Sequence, residues 1–171
     1  MHRLMLLRHA KSSWDDPSQP DFDRPLNRRG RKAAPEMARH MVDRGFVPEL
    51  ILCSTAQRTR ETLAVLLNAF RDPLEIRLLD ELYEASEAQI TDAVRHSAGN
   101  AASVLVIGHN PGMEECADSL VGSAGKGLGE AFETDFPTAA LAVIDFEMAS
   151  WGDLAPGTGH LSAFVRPKDL G

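Results

Sequence analysis

The stretch Leu4-Met5-Leu6-Leu7-Arg8-His9-Ala10-Lys11-Ser12-Ser13-Trp14 carries the information that decides the fold. Its apolar run is long enough for a buried strand and too short for a signal-peptide core or a membrane span. Arg8 and His9 therefore lie at the carboxyl end of a strand, where open α/β sheets bind ligands. An arginine offers a rigid fork of donors for phosphate, and a neutral histidine can act as a nucleophile. Two solvent-facing residues at a strand end explain this fragment equally well.

Two further strand ends carry similar groups. The apolar run 50–53 precedes an N-cap pattern and a helix whose first turn holds Arg58. The run 104–107 is followed by His109, just before a helix-like segment at 113–121. A helix N-terminus favours an anion, because its backbone N–H groups and dipole point there. Three such groups at the same relative place on three strands are poorly explained by chance.

Each of these strand ends belongs to a longer motif. The motifs are Leu7-Arg8-His9-Ala10-Lys11-Ser12, Ser54-Thr55-Ala56-Gln57-Arg58-Thr59-Arg60-Glu61-Thr62 and Gly108-His109-Asn110-Pro111-Gly112. In this order they resemble the histidine phosphatase superfamily, the phosphoglycerate mutase-like enzymes. Within it the chain is most similar to the short branch of SixA-type phosphohistidine phosphatases. The resemblance runs from Leu4 to about Phe164.

The resemblance implies a role for each of these residues. It makes His9 the nucleophile, and it makes Arg8 and Arg58 the groups that grip the phosphoryl group. It implies that His109 stabilises the developing charge and that Ser12 is a further phosphate contact. Two arginines and an imidazolium suit phosphoryl transfer, which asks mainly for positioning and positive donors. We expect no cofactor and no metal, since no His, Cys, Asp or Glu grouping has metal-ligand spacing.

The expected reaction has two steps. Neutral His9 attacks phosphorus in line and becomes phosphohistidine, which water then hydrolyses. The ring must present one nitrogen, so its other N–H should be held by a backbone carbonyl or a polar side chain. The sequence leaves that partner open.

Two positions depart from the usual family pattern. Ala10 replaces the more common glycine after the histidine, a change that the short branch also tolerates. Asp15 stands where mutase-like members often have a phosphate-binding asparagine, and a carboxylate there repels phosphate unless it is turned away. The second departure argues against a mutase.

A leaving group also needs a proton. The resemblance places the family's acid at Glu81, in the segment Leu79-Asp80-Glu81-Leu82-Tyr83-Glu84, and Glu84 is a near alternative. Two solvent-facing carboxylates at a helix start explain the segment equally well.

The space between residue 75 and the helix near Glu87 is too short for the large lid of mutase-like relatives. We therefore expect an open pocket, which favours phosphohistidine on a phosphoprotein, of the histidine phosphotransfer type, as the substrate. A broad small-molecule phosphomonoesterase is the alternative enzyme. An inactive phosphoprotein-binding module is the alternative of another class, and it has no need of a nucleophile.

Composition predicts one ordinary domain over residues 1–171, with 43% hydrophobic residues and a formal net charge of −7. We expect no nucleic-acid binding at this charge and no membrane span. A local run of cations is more typical of a solvated helix start than of a substrate funnel; it comprises Arg24, Arg28, Arg29, Arg31 and Lys32. Cys53 and Cys116 are expected to be small buried hydrophobes in a reducing cytoplasm.

The alternation of strand-like and helix-like segments predicts an α/β fold. We expect a three-layer α/β/α sandwich around a mainly parallel sheet with an antiparallel edge strand. Helices are predicted from the N-cap Asn27 to about Arg44, at 57–69 and at 87–96, with Pro35 either preceding the first helix or kinking it. Residues 141–146 and 159–165 are expected to form a hairpin. The glycine-rich stretch 122–129 is expected to be a flexible surface connection, since it lacks the order of a phosphate-binding P-loop.

Overall fold

Seven strands form one mixed sheet in the computed structural model, which describes residues 1–171. The strands are β1 His2–Arg8, β2 Leu50–Ser54, β3 Glu75–Leu79, β4 Ser103–Gly108, β5 Val121–Ala124, β6 Leu141–Phe146 and β7 Gly159–Val165. Their order across the sheet is β3-β2-β4-β1-β6-β7-β5. Only β6 runs against its neighbours, β1 and β7, while the other pairings are parallel.

Helices cover both faces of this sheet. They are α1 Arg28–Asp43, α2 Gln57–Ala69, α3 Glu87–Ser97, α4 Gly112–Leu120 and α5 Leu128–Thr134. Successive side chains of β1 point to opposite faces, so Leu4 and Leu6 pack with α3 and α4, while Met5 and Leu7 pack with α1 and α2. All four leucine and methionine side chains are buried. A continuous apolar run is what a strand covered on both faces requires, and the predicted three-layer α/β fold is confirmed.

The residues at the two ends of α1 have the conformations that begin and end a helix, and Asn27 is the N-cap that the sequence predicts. The side chain of Asn27 accepts a hydrogen bond from the Gly30 N–H (2.9 Å), and Gly45 follows α1 with φ 73°. Pro35 lies inside α1, so the helix does not begin after it. The predicted hairpin of β6 and β7 is also confirmed.

The antiparallel strand lies inside the sheet and not at its edge, which corrects the predicted position. β6 pairs with β1 on one side and with β7 on the other, and the edge beyond β7 is β5. β5 begins the stretch predicted to be a flexible connection. The four residues of β5 are mostly exposed, so the strand lacks the alternation of buried and exposed side chains by which strands are predicted. Gly122 lies so close to the backbone of Gly157 that an added Cβ would be 2.0 Å from its carbonyl oxygen, which explains the glycine.

Candidate active site

The carboxyl ends of three parallel neighbours, β2, β4 and β1, meet at one edge of the sheet. His9 follows β1 and His109 follows β4, and their ring centroids are 5.3 Å apart. The backbone N–H of His9 donates to the Gly108 carbonyl (3.0 Å), which ties the two strand ends together. Arg58 comes from the first turn of α2 and is itself buried. The fold thus gathers the groups that the sequence predicted to act together.

The ring of His9 is fixed by its own backbone neighbour. Its Nδ1 lies 2.7 Å from the carbonyl oxygen of Ala10, so Nδ1 carries the proton and donates. This carbonyl is the partner that the sequence left open. Nε2 is then the unprotonated nitrogen, and it has no partner in the protein. His9 therefore presents a lone pair for attack.

His109 is oriented by Ser54 at the end of β2. Its Nε2 lies 2.8 Å from the Ser54 hydroxyl, which also accepts from the Ala56 N–H at 3.4 Å. In the tautomer in which the Ser54 hydroxyl donates to Nε2, the ring proton of His109 is on Nδ1. His109 Nδ1 is buried without a partner. Such a donor is costly to leave unpaired, and an anion in the site would satisfy it.

Burial lowers the pKa values of both histidines and so favours their neutral forms. Burial, together with the charges of Arg58 and Arg8, lowers the pKa of His9 from 6.5 to about 4. Burial, followed by the effects of His9 and Arg58, lowers the pKa of His109 from 6.5 to about 3. Burial, followed by these neighbours, disfavours the imidazolium form of His109 that the sequence analysis expected. A bound phosphate dianion would raise both pKa values.

Arg58 is clamped by a residue that the sequence analysis did not find. One terminal nitrogen donates to the Asp21 carbonyl (2.8 Å) and the other to the Asp21 carboxylate (3.0 Å). The Tyr83 hydroxyl donates to the same carboxylate at 2.6 Å. Burial alone would raise the pKa of Asp21, but the hydrogen bond from Tyr83 and the charge of Arg58 lower it. Asp21 is therefore an anion that holds the guanidinium in place.

Three N–H groups of Arg58 remain for a ligand, since a guanidinium has five and Asp21 takes two. The side chain of Arg8 makes a single hydrogen bond, to the Phe136 carbonyl at 3.2 Å, and its Nε is buried without a partner. Burial lowers the pKa of Arg8, which indicates a poorly hydrated cation. Neither arginine is saturated by the protein, so both have donors to offer an anion.

Thr62 joins the helix to the strand end. Its hydroxyl donates to the Arg58 carbonyl (2.8 Å) and accepts from the Ala10 N–H (3.1 Å). This side chain fixes Arg58 relative to the segment after His9. Thr62 and Ser54 were part of a recognised motif, so their signal was present in the sequence. Asp21 lies in a segment without any pattern, and Tyr83 lies in the segment of the predicted acid but was not itself singled out. Only their contacts reveal these two residues.

Glu81, Glu84 and Ser12 lie around the site without the same anchoring. Glu81 is an exposed residue of the three-residue 3-10 turn Asp80–Leu82, and Glu84 is exposed with φ 52°. Ser12 is buried, and its backbone pairs with Leu26. None of the three side chains makes a hydrogen bond within the protein. Their catalytic roles stay predictions.

A family model for the histidine phosphatase superfamily (branch 1) matches residues 4–95, more than half of the chain. The chain belongs to this superfamily. The matched segment contains His9 with Arg8 and Arg58, and the structure adds His109 from outside it.

Relatives and solved structures place the chain near SixA-type proteins. An uncharacterized chloroplastic protein of Arabidopsis thaliana is 37% identical over 72% of this chain, which spans 61% of that protein's length. An uncharacterized protein of Mycobacterium tuberculosis is 31% identical over 95% of this chain and 100% of its own. The crystal structure of a protein assigned as phosphohistidine phosphatase SixA, from Agrobacterium tumefaciens, is 35% identical, with a TM-score of 0.81 and coverage of 97% and 98%. Membership of the histidine phosphatase superfamily and the SixA-like fold support phosphatase activity, which is a hydrolase activity.

No helix is long and apolar enough to cross a membrane. The structure also contains no group of three or more His, Cys, Asp or Glu side chains that could hold a metal ion. Cys53 and Cys116 are both free and buried, as the sequence predicted.

Proposed function

We propose that this protein is a metal-independent phosphatase that hydrolyses phosphohistidine on a phosphoprotein through a covalent intermediate on His9. One observation carries the proposal: the Ala10 carbonyl accepts from His9 Nδ1, so Nε2 is left with a free lone pair in the electrostatic field of Arg58 and Arg8. Binding alone requires no such nucleophile. The SixA assignment of the Agrobacterium relative, at 35% identity, supports the same substrate class.

The first step transfers the phosphoryl group to His9. The Nε2 lone pair forms the N–P bond while the bond from phosphorus to the substrate nitrogen breaks. The electron pair of the broken bond stays on that nitrogen, and the substrate leaves as a neutral imidazole because its other ring nitrogen already carries a proton. Arg8 and Arg58 contact the equatorial oxygens, where the charge of the transition state is spread. His109 donates from its Nδ1, and Ser12 adds a contact. Preorganised donors of this kind need no rearrangement when the charge develops.

The second step hydrolyses the phosphohistidine intermediate and regenerates the free enzyme. Water attacks phosphorus on the face opposite His9, the N–P bond breaks, and the electron pair returns to Nε2. Inorganic phosphate then dissociates, and the protein has returned to its starting state. Glu81 is the proposed acid for substrates with a poor leaving group, while phosphohistidine has less need of one.

The short connection between β3 and α3 supports a protein substrate. Only a three-residue turn and a short linker separate β3 from α3, where a lid would have to be inserted. A phosphorylated side chain on another protein can reach a pocket of this kind, and the partner would be a domain of the histidine phosphotransfer type.

The proposal is tested by trapping the intermediate. The protein is mixed with a phosphohistidine peptide, quenched at alkaline pH to spare acid-labile phosphohistidine, and mapped by mass spectrometry. We expect phosphate on His9, and no phosphate and no turnover in a folded His9→Ala variant. His96→Ala, at an exposed position on α3, is the matched control and should behave as wild type. Phosphate on another residue, or turnover by His9→Ala, would refute the covalent assignment.

A further inference from the structure

A second feature of the surface begins at Arg8 and leads away from the histidines. Arg8 and Lys11 line an open cleft of about 340 Å³. A neighbouring cleft of about 220 Å³ shares part of its wall with the first, namely Lys11, Asp135, Pro137 and Thr138. The two clefts thus form one continuous depression that starts at a proposed phosphate-binding arginine.

The far part of this depression is strongly basic. It collects Lys11, Arg29, Arg166 and Lys168 from three separate segments, against the single carboxylate of Asp135. Arg166 is already paired with Asp169 at 3.2 Å. Lys11, Arg29 and Lys168 are exposed and form no ion pair. In a chain with a net charge of −7, three unpaired cations in one cleft are a local exception.

Close contacts and hydrogen bonds fix the backbone on both walls of the cleft. Gly30 lets α1 approach the segment after β1 so closely that an added Cβ would lie 2.2 Å from the Lys11 carbonyl oxygen. The Asn27 N–H donates to that same carbonyl at 2.9 Å. On the opposite wall, the 3-10 turn Pro167–Asp169 is closed by hydrogen bonds from Arg166 to Asp169, and Leu170 packs against the core. The backbone of each wall is therefore held in place.

We propose that this basic cleft, lined by Lys11, Arg29 and Lys168, binds an acidic segment of the phosphoprotein whose phosphohistidine enters the active site. The proposal rests on the function proposed above and names the surface of the partner. A volume of about 220 Å³ accommodates one or two carboxylate side chains and not a large ligand. Continuity with Arg8 lets one polypeptide place its phosphohistidine at His9 and its acidic residues in the cleft. Complementary charge at such a rim speeds encounter and fixes orientation.

Two phosphohistidine peptides of equal length test the proposal, one with acidic residues flanking the histidine and one with neutral residues. We expect the wild-type protein to hydrolyse the acidic peptide with a lower KM and an unchanged kcat, and we expect added salt to reduce the difference. An aryl phosphate serves as the small substrate that does not reach the cleft.

The double variant Arg29→Glu/Lys168→Glu reverses two cations of the cleft and leaves every proposed catalytic residue intact. We expect it to raise the KM of the acidic peptide by roughly tenfold and to leave kcat and the aryl phosphate rate unchanged. The control is Arg28→Glu/Lys32→Glu, which reverses two exposed cations of α1 outside the cleft and changes the net charge equally. It should affect the acidic peptide much less.

Two results would overturn the cleft as a docking surface. One is an equal rise of KM in both double variants, which would indicate only a long-range field. The other is an equal loss on the aryl phosphate, which would indicate a free-anion site coupled to catalysis.

Binding of the unphosphorylated acidic peptide, followed by fluorescence anisotropy, separates the two proposals. In one outcome, phosphohistidine peptides are not hydrolysed, but the acidic peptide binds and Arg29→Glu/Lys168→Glu weakens this binding. The proposed substrate is then wrong, and the cleft is still a docking surface. If hydrolysis proceeds without any preference for acidic peptides, the function stands and the cleft is wrong.

Discussion

Arg58 shows how a single residue is prepared for its task. Its terminal nitrogens are oriented by the backbone and the carboxylate of Asp21, and its guanidinium carbon lies 5.9 Å from the centre of the Tyr83 ring. A planar fork held on one side in this way offers its remaining donors in a fixed direction. An ammonium group carries the same charge but cannot reproduce that geometry.

We therefore predict that Arg58→Lys lowers kcat by about a hundred- to thousandfold, the usual effect of losing one such donor. Steady-state rates on a phosphohistidine peptide measure it. Arg60→Lys is the matched control, since Arg60 is exposed on the same helix and bonds only to Gln57. A loss below tenfold at Arg58 would show that positive charge alone is sufficient.

Glu81 is tested through the leaving group. An alkoxide requires a proton, and a positioned acid supplies about a hundred- to ten-thousandfold in rate. We predict that Glu81→Gln depresses hydrolysis of alkyl phosphates far more than hydrolysis of phosphohistidine or an aryl ester. The same measurements on Glu84→Gln provide the comparison. Small and equal effects on every substrate would remove Glu81 from the mechanism and leave Glu84 or water as the donor.

The elements place these residues through a few close contacts between a helix start and a strand end. α1 begins against the segment that follows His9, and Gly30 is the point of contact. α2 reaches the same segment through Thr62, whose hydroxyl lies 3.1 Å from the Ala10 N–H. The geometry of the site therefore depends on how these helices dock on the sheet edge.

We predict that Gly30→Ala destabilises the protein by about 1–3 kcal/mol, because its Cβ would meet backbone that cannot move aside cheaply. Activity should fall as well, since the displaced segment carries Ala10, whose carbonyl holds His9. Urea unfolding and steady-state rates measure the two effects. Gly129→Ala in α5 is the control: no atom lies within 4 Å of its added Cβ, and alanine favours a helix by roughly 0.5–1 kcal/mol. Equal stability of the two variants would contradict the close approach.

At the scale of the whole molecule, the protonation of His9 and His109 links the active site to the free energy of unfolding. Their pKa values of about 4 and about 3 lie below the ordinary 6.5, so the folded state binds fewer protons than the unfolded state below pH 6.5. The stability that they contribute is therefore present above pH 6.5 and is lost as the pH falls toward 4. His40 shifts in the same direction. The lowered carboxyl pKa values, such as that of Asp145, act only at lower pH.

We predict that the free energy of unfolding falls between pH 6.5 and pH 4.5, by at most about 1.4 kcal/mol per pH unit for each histidine. Urea unfolding at several pH values gives the slope. The double variant His9→Gln/His109→Gln should have a shallower slope. A wild-type stability that does not vary across this window would mean that the two histidines titrate normally.

The sequence by itself determined the class of fold and the main groups of the site. Continuous apolar runs at residues 4–7 and 104–107 specify strands covered on both faces, and parallel strands necessarily bring their carboxyl ends together. Arg8, His9, Arg58 and His109 converge for that reason, without any knowledge of side-chain contacts.

Only the tertiary structure decided how these groups are held and charged. The clamp of Asp21 on Arg58 joins residues 37 positions apart in the chain, and no local pattern encodes it. The lowered pKa of His109 follows from its burial next to His9 and Arg58, which a sequence does not display. β5 escaped prediction because a short, exposed strand takes its structure from pairing with β7 and not from its own alternation. Periodicity along the chain specifies which faces are buried, whereas hydrogen-bond partners and local electrostatics depend on contacts between segments that only folding brings together.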